Sequence, residues 1–362
     1  DKTTENAKSA VASNNTSMVL IRGLIPAGAR KGDHIDIEVV TPPKTDTTSL
    51  KYGQLLQTDL RPMAFLKRSV KLGNTMGKAR GPVLVDGLFD DSSDDANMLR
   101  GRILGGGVVG EDRPLTLVVR TDDTSVKVSR SIAHSINQRF SSYSSNGREN
   151  TANPVTDRVI ELRIPEEYQH NLGRFIQALM AMAFDESVDE RIERIDGLER
   201  QITDPATSQR AAIELEAIGE EGLPVLQRAV KNPDFEVRFH AAEALAYMRQ
   251  ADGIPHLKLA AESEPAFRWH ALTALASIDS KPAFQALFDL FDVQSEETRY
   301  GAFRALQACR PDDHRIKGKL LADEYHFHEI PSKGPGLVHF ARTKRPEIVV
   351  FGSTDRVADD FI

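Results

Sequence analysis

The second half of the chain repeats one pattern of apolar residues. The pattern occurs at 208–218, 237–248, 267–278 and 298–309. It places four alanines in register, Ala211, Ala241, Ala271 and Ala302. A period of roughly thirty residues with two apolar runs is typical of helix pairs that stack into a solenoid. This feature therefore predicts an extended helical array, a fold that presents surface and seldom performs chemistry.

Each period also indicates how its two helices are built. The second helices follow Gly222-Leu-Pro, Gly253-Ile-Pro and Lys281-Pro-Ala, and proline suits a first helical turn because its missing N–H has no partner there. First helices carry arginines in register, namely Arg238, Arg268 and Arg299. The continuous core is predicted to contain Leu226, Leu245, Leu257, Leu275 and Leu306.

Before the repeats, the pattern changes to short strands and then to alternating strands and helices. Apolar and β-branched residues alternate between turn formers at 18–26, 34–42 and 49–60. A helix at 126–140 is predicted, with Asp123 or Thr124 as its N-cap. The residues on its apolar face are Val126, Ile132, Ala133, Ile136 and Phe140. A second helix is predicted within 166–182. This order of elements favours an α+β domain.

The whole chain of 362 residues is long enough for two or three domains. The predicted order is a flexible leader at 1–17, the α+β domain at 18–183, a connecting or capping helix at 184–202, the helical repeats at 203–323 and a strand-containing tail at 324–362. Two strands without partners are unstable. We therefore expect the tail strands to belong to a truncated domain or to pair with the N-terminal body.

Charge and hydropathy exclude two classes of function. The net charge of −7 is modest and spread along the chain, whereas nucleic-acid-binding proteins concentrate basic residues on one face. We expect no nucleic-acid partner. No apolar run approaches the length that spans a bilayer, so no transmembrane segment is predicted.

Two glycine-rich segments resemble nucleotide-binding motifs without meeting their structural requirements. Residues 105–110 match the dinucleotide fingerprint, but the sequence after them predicts a strand, whereas the motif must lead into a helix. A turn or close packing explains these glycines better. The segment 73–79 has too few residues for a P-loop and ends in Ala79 instead of a hydroxyl residue. No cofactor is predicted.

Candidate metal ligands are equally incomplete. Asp90, Asp91, Asp94 and Asp95 lack the spacing of a calcium loop and indicate a solvated turn. His326 and His328 would share one side of a strand, but two histidines do not complete a site. An exposed strand face is the simpler interpretation. His240 and His270 recur at a repeat position. The sequence therefore predicts no catalytic, cofactor-binding or metal-binding residue.

Five ordered segments carry a resemblance to a known family. They are SMVLIRGLIPAGARKGDHIDIEVV, TSLKYGQLLQTDLRPM, GRILGGGVVGE, DTSVKVSRSIAHSINQRF and VIELRIPEEY. Their order and spacing resemble the flagellar P-ring protein family over residues 17–182, and residues 203–323 resemble HEAT repeats. The segment Ala64–Ala79 is extra relative to that family. The expected fold is an α+β N-terminal domain followed by an α-helical HEAT-like solenoid and a short strand-rich tail.

The resemblance implies a non-catalytic structural protein of the bacterial cell envelope. P-ring proteins form the periplasmic bushing around the flagellar rod, so it also implies self-association into a ring and a periplasmic or envelope location, with the signal peptide absent from the sequence in hand. We expect protein partners to bind the second helices of the array, at Gln227, Lys231, Lys258 and Gln285. A non-flagellar scaffold or binding module is the alternative, and a metal-dependent enzyme using His326 is less favoured.

Overall fold

The computed structural model divides into two compact units. Unit 1 comprises residues 1–114 and 341–346, and unit 2 comprises residues 115–340 and 347–362. The structure describes residues 13, 15–66, 69–86, 95–120, 124–144, 147–321, 325–342 and 345–352. The predicted leader and the predicted acidic turn lie mostly outside these residues. Unit 1 is dominated by strands, and unit 2 contains the helical array.

Unit 1 is organised by one antiparallel sheet. Its elements are β1 (Leu20–Gly23), β2 (His34–Val40), β3 (Gln54–Leu60), β4 (Met63–Leu66), β5 (Ser69–Leu72), β6 (Gly77–Pro82), β7 (Leu84–Val85), α1 (Asp95–Met98) and β8 (Arg100–Val109). The main sheet has the order β1-β2-β8-β6-β3, with β7 also paired to β8, and β4 and β5 form a separate hairpin. Ile35, Ile37 and Val39 alternate toward the core of this unit. The period-two pattern thus places one face of β2 inside.

The glycine run at 105–110 lies in and just after β8, packs closely, and is followed by another strand. Gly106 and Gly107 lie within β8. A Cβ atom on Gly106 would lie 2.2 Å from Ile103 Cγ2, and one on Gly107 would lie 2.6 Å from Ile37 Cδ1. The prediction of close packing is confirmed, because a larger residue would displace the core side chains beside this strand.

Unit 2 begins with a small α+β portion. Its elements are β9 (Leu115–Val118), α2 (Val126–Phe140), β10 (Ser142–Ser144), β11 (Gly147–Glu149), β12 (Ala152–Pro154), β13 (Val159–Leu162) and α3 (Leu172–Met180). Strands β12, β13 and β9 form an antiparallel sheet. The predicted cap of α2 was wrong. Ser125 is the N-cap, and its hydroxyl oxygen accepts from Val128 N. Asp123 lies outside the described residues, and Thr124 precedes the cap.

The helical array follows in the order that the repeats predict. Its helices are α4 (Val188–Gln201), α5 (Pro205–Ile218), α6 (Leu223–Ala229), α7 (Phe235–Tyr247), α8 (Ile254–Ser263), α9 (Arg268–Ser277), α10 (Lys281–Asp289) and α11 (Glu296–Cys309). A proline occupies the first turn of α6, α8 and α10. All four register alanines and all five predicted core leucines are fully buried. The solenoid prediction is therefore confirmed.

The predicted α+β domain at 18–183 is shared between the two units. Residues 115–182 lie in unit 2, and one hydrophobic cluster extends from Leu115 through the array to Phe351. Unit 1 has its own core, which includes Ile37, Val39 and Ile103. The chain thus changes from one core to the other near Pro114, well before the repeats begin.

The tail strands pair with each other. They are β14 (Lys319–Leu321), β15 (Tyr325–Ile330), β16 (Leu337–Ala341) and β17 (Glu347–Phe351), in the order β14-β15-β17-β16. Strands β15 and β17 run parallel. Of the two predicted alternatives, pairing with strands of the N-terminal body is not found among the described residues, and membership of a truncated domain stays a prediction. β14, at the end of the predicted repeat region, provides an additional strand that makes a four-stranded sheet possible.

Among the described residues, no helix combines the length and the apolar character needed to cross a membrane.

Candidate interaction surface

The four predicted partner-binding residues lie on or just after the second helices of the array. Gln227 is on α6, Lys231 follows it, Lys258 is on α8 and Gln285 is on α10. Lys231 and Gln285 are exposed, whereas Gln227 and Lys258 are half-buried. We call this set the second-helix face. Its position agrees with a docking surface, although binding itself stays a prediction.

Several side chains of the second-helix face connect one repeat to the next. Lys258 Nζ lies 2.6 Å from Asp289 Oδ2, and Gln285 Nε2 donates to Asp289 Oδ1 at 2.8 Å. Burial tends to raise the pKa of Asp289, but the hydrogen bonds from Lys258 and Gln285 outweigh it and hold that pKa below its ordinary value. Gln227 Nε2 donates to Asp252 Oδ2 at 3.1 Å. Neither aspartate was predicted from the sequence, although both lie close to a repeat boundary.

The opposite side of the array is partly covered by the chain itself. Helix α3 packs on α5, and the short 3-10 turn at Glu166–Tyr168 contacts α9. Between them, α7 is buried from Phe239 to Tyr247. A helix with buried residues on most of its sides needs a second covering layer besides the neighbouring repeat helices. Helices α5, α7 and α9 therefore contact the α+β portion, although Trp269 and His270 of α9 are exposed. The second helices present the solvent-facing side chains described above.

A buried ionic network fixes this covering segment. Arg174 of α3 places Nη2 2.6 Å from Glu216 Oε2 and Nη1 2.9 Å from Glu243 Oε2. The three side chains are at most 4% exposed. Tyr168 donates its hydroxyl proton to Glu216 Oε1 at 2.8 Å. One cation thus joins the first helices of two successive repeats, α5 and α7, to α3.

The surroundings of the network favour the charged forms of Arg174 and Glu243 but not of Glu216. Burial lowers the pKa of Arg174, but the carboxylates of Glu216 and Glu243 outweigh burial and raise it. For Glu243, burial raises the pKa, and Arg174 together with His270 lowers it below its ordinary value. For Glu216, burial outweighs the opposing effects of Arg174 and Tyr168 and leaves its pKa above the ordinary value. His270 Nδ1 lies 3.5 Å from Glu243 Oε1, and this contact raises the pKa of His270.

Aromatic packing surrounds the network. The ring of Tyr168 stacks on Tyr247 with centroids 5.1 Å apart, and Phe140 and Phe175 meet edge to face at 5.5 Å. Asn171 Nδ2 donates to the Tyr247 hydroxyl at 2.9 Å. These residues come from α2, α3, the 3-10 turn and α7, so the α+β portion of unit 2 and the array share one packed interior.

The last repeat is covered by the tail sheet. Phe351 of β17 packs edge to face on Phe291 and Phe303 at 5.7 and 6.5 Å. Glu347 Oε1 accepts from the Tyr300 hydroxyl at 2.6 Å, and Glu347 Oε2 accepts from Arg304 Nη1 at 3.1 Å. The array therefore has a different covering at each end.

Two of the candidate histidine ligands, His328 and His240, have structural roles. The rings of His326 and His328 lie on the same side of β15, 6.3 Å apart, but His328 is buried and its Nδ1 lies 2.8 Å from Ile316 O. The interpretation of both as an exposed strand face was therefore wrong for His328. His240 Nδ1 lies 2.8 Å from Ser208 Oγ. Within the described ranges, no group of three His, Cys, Asp or Glu side chains has the geometry to hold a metal ion.

These features define a class: a two-unit protein whose α+β portion is built into an α-helical repeat array with an accessible second-helix face. The family comparisons identify both parts. A model of the flagellar P-ring protein matches residues 2–196, more than half of the chain, and a model of HEAT repeats matches residues 193–266. The chain belongs to the flagellar P-ring protein family. The P-ring match extends beyond unit 1 and includes α3 and Arg174.

Curated relatives agree at low identity. The flagellar P-ring protein of Thermotoga maritima is 26% identical over 193 residues, covering 50% of this chain and 52% of the relative. That of Campylobacter lari is 25% identical over 167 residues, covering 44% and 43%. That of Thermotoga petrophila is 26% identical over 193 residues, covering 50% and 52%. The chain spans about half the length of the curated relatives it matches.

Proposed function

We propose that this protein is a non-enzymatic structural subunit of the bacterial cell envelope that self-associates into a P-ring-like assembly and docks a protein partner through the second-helix face. Family membership supports the structural role. The observation that carries the docking role is the partial coverage of the first helices, in which α3 packs on α5 and Glu166–Tyr168 contacts α9. Solenoids bind partners along one extended face, and here the second helices offer it.

The ring part is tested by the size of the purified protein. Light scattering and negative-stain microscopy should show multimers with rotational symmetry, and fractionation of the source bacterium should place the protein in the periplasm. A strict monomer at all concentrations, or a cytosolic location, contradicts this part. Loss of motility upon gene deletion would support the flagellar role, and normal motility would favour a scaffold outside the flagellum.

The docking part is tested by charge reversal on the second-helix face. Lys231→Glu changes an exposed side chain with little risk to the fold, whereas Lys258→Glu would also repel Asp289. Lys127→Glu, on the exposed side of α2, is the matched control. Cross-linking in intact cells should lose a partner band with Lys231→Glu and retain it with Lys127→Glu. Unchanged bands in both variants contradict the proposed face.

Experiments can distinguish the two alternative functions, a scaffold outside the flagellum and a metal-dependent enzyme. A scaffold outside the flagellum keeps the HEAT repeats and is favoured by the match at 193–266. A metal-dependent enzyme requires a stoichiometric metal, which elemental analysis of the purified protein would detect. Buried His328 gives this alternative little structural support.

A further inference from the structure

The main sheet of unit 1 ends in two strands that each pair on one side only within the described residues, β1 and β3. Every neighbour in the path β1-β2-β8-β6-β3 is antiparallel. Four successive reversals make β1 and β3 run in the same direction. If the sheet continued into a second copy placed side by side, β1 of one copy would lie parallel to β3 of the next. Open strand edges carry unpaired N–H and C=O groups that favour such continuation.

The outer face of this sheet carries charges that alternate in sign from strand to strand. Register pairs Arg22 on β1 with Glu38 on β2, and Glu38 with Arg102 on β8. Near the other edge, Asp59 on β3 pairs with Lys78 on β6. All five residues are exposed. The row of charges on β8, β2 and β1 therefore ends in the cation Arg22 at the β1 edge. The row on β6 and β3 ends in the anion Asp59 at the β3 edge. Opposite charges on adjacent strands stabilise a sheet, whereas like charges oppose it.

A bulge in β3 lets the exposed residues of β1 and β3 pair in matching register. Leu55 pairs with Gly81 and Thr58 pairs with Ala79, so β3 contains one extra residue between them. Leu20 and Arg22 are separated by two positions and Leu56 and Asp59 by three. With the bulge absorbing the difference, Leu20 lies beside Leu56 when Arg22 lies beside Asp59. Leu20 is 58% exposed and Leu56 is 79% exposed in the single chain. Their contact would remove apolar surface from water.

We propose that β1 of one copy pairs in parallel with β3 of the next copy, so that Arg22 meets Asp59 and Leu20 meets Leu56. The inference rests on the proposed self-association and names its interface. Asp59 Oδ2 already accepts from Arg61 and Thr75 at 2.8 and 3.2 Å, but a carboxylate has about four acceptor positions. The alternating row then continues through the contact as Arg102, Glu38, Arg22, Asp59 and Lys78.

The geometry also selects the symmetry. Pairing of β1 with itself about a twofold axis, with matching faces, places Arg22 opposite Arg22 or Leu20, so no anion faces it. The β1–β3 contact uses two different patches and is heterologous. Heterologous contacts build rings when the rotation closes and filaments when it does not. The same contact repeated around an axis would therefore produce a ring.

Disulfide trapping tests the contact directly. In full-length protein with the native cysteine replaced, Cys309→Ala, the double variant Leu20→Cys/Leu56→Cys should give a ladder of multimers on a non-reducing gel. Each single-cysteine variant should remain monomeric on that gel. Dimers from either single variant would indicate a twofold contact and overturn the proposal. Multimers in light scattering without a ladder would overturn this interface alone, and a monomeric wild type would overturn both the ring and the interface.

A double-mutant cycle tests the charge pair. Arg22→Gln and Asp59→Asn should each lower the association constant severalfold, about two- to fivefold for an opposite-charge cross-strand pair. The double variant should lose no more than the larger single effect, because both changes remove one pair. Arg102→Gln, on the central strand β8 and away from both edges, is the control and should leave association unchanged. Additive losses, or equal loss in the control, would overturn the assignment of the pair.

Discussion

The two ends of the helical array are joined to the rest of unit 2 by different chemistry. At the first end, Arg174 is held between Glu216 and Glu243, and all three side chains are almost completely buried. At the last end, the tail sheet packs aromatic rings on α11, and the acidic Glu347 is bonded by partly exposed Tyr300 and Arg304.

We call the connection at Arg174 the first joint and the connection at the tail sheet the last joint. Their different chemistry predicts how each responds to mutation. A buried ion network is stable only when every member is present, because one missing partner leaves an uncompensated charge in a dry interior. An aromatic joint instead loses contact area in proportion to what is removed. Single substitutions should therefore destabilise the first joint more than the last joint. The first joint also holds α3, which lies within the P-ring match, on the HEAT repeats.

Removal of the shared cation should have the largest effect. Arg174→Met leaves Glu216 and Glu243 buried without their cation, and we expect unit 2 to lose about 3–5 kcal/mol of unfolding free energy. Urea unfolding monitored by far-UV circular dichroism measures it. Arg304→Met at the last joint is the matched control, with a smaller loss because Arg304 and Glu347 are 21% and 4% exposed. Equal losses would remove the contrast between the joints.

A matched pair of tyrosines sharpens the same comparison. Tyr168 and Tyr300 each donate a hydroxyl proton to a buried glutamate, at 2.8 and 2.6 Å. Tyr168→Phe should cost about 2 kcal/mol, because an unpaired buried acceptor costs roughly 1–3 kcal/mol. Tyr300→Phe should cost about 1 kcal/mol, since Tyr300 is only half-buried and water can replace its hydrogen bond to Glu347. The same urea titration measures both, and a larger loss for Tyr300→Phe would reverse the ranking.

The smallest effect is a pH dependence at the first joint. The contact with Glu243 raises the pKa of His270, so its stabilisation is full below the unfolded value of about 6.5 and is lost as pH rises through the folded pKa. Arg174, Glu216 and His240 also face this cluster. His270→Gln should cost less than about 1 kcal/mol at pH 5.5, since the ring is 47% exposed, and nearly nothing at pH 8.5.

His256 on α8 provides an internal control of opposite sign. Burial lowers the pKa of His256, so the folded state disfavours its protonation and stability falls as pH falls through that range. His256→Gln should therefore gain stability relative to wild type at acidic pH. Thermal melting of His270→Gln and His256→Gln between pH 5.5 and pH 8.5 should show pH dependences of opposite sign. A parallel response of both histidines would show that the Glu243 contact is not the cause.

The residues of the array show why its fold could be predicted. The register alanines and the leucines such as Leu245 recur with the helical repeat, and burial of an apolar face depends only on neighbours in sequence and in the next repeat. Helix α2 was predicted for the same reason. Its cap was misassigned because three adjacent polar residues compete for the position, and the structure selects Ser125.

The buried network could not be predicted in the same way. Arg174 lies in a helix whose pattern allows an arginine on a solvent face, and arginine is seldom buried without partners. One signal was present: from Phe239 to Tyr247 apolar residues lie on most sides of α7, which indicates a second covering layer. The sequence did not say which segment provides that layer. Long-range contacts of Arg174 with α5 and α7 decide it.

By itself the sequence determined the helical repeats, the strand-rich start, the resemblance to the P-ring family and the alternation that buries one face of β2, because each depends on local periodicity or on ordered motifs. Only the tertiary structure decided that the chain changes core near Pro114, that β15 pairs in parallel with β17, and that α3 covers the first helices. Those outcomes depend on which distant elements meet, and burial of Arg174 is stable only where two glutamates from separate repeats converge on it.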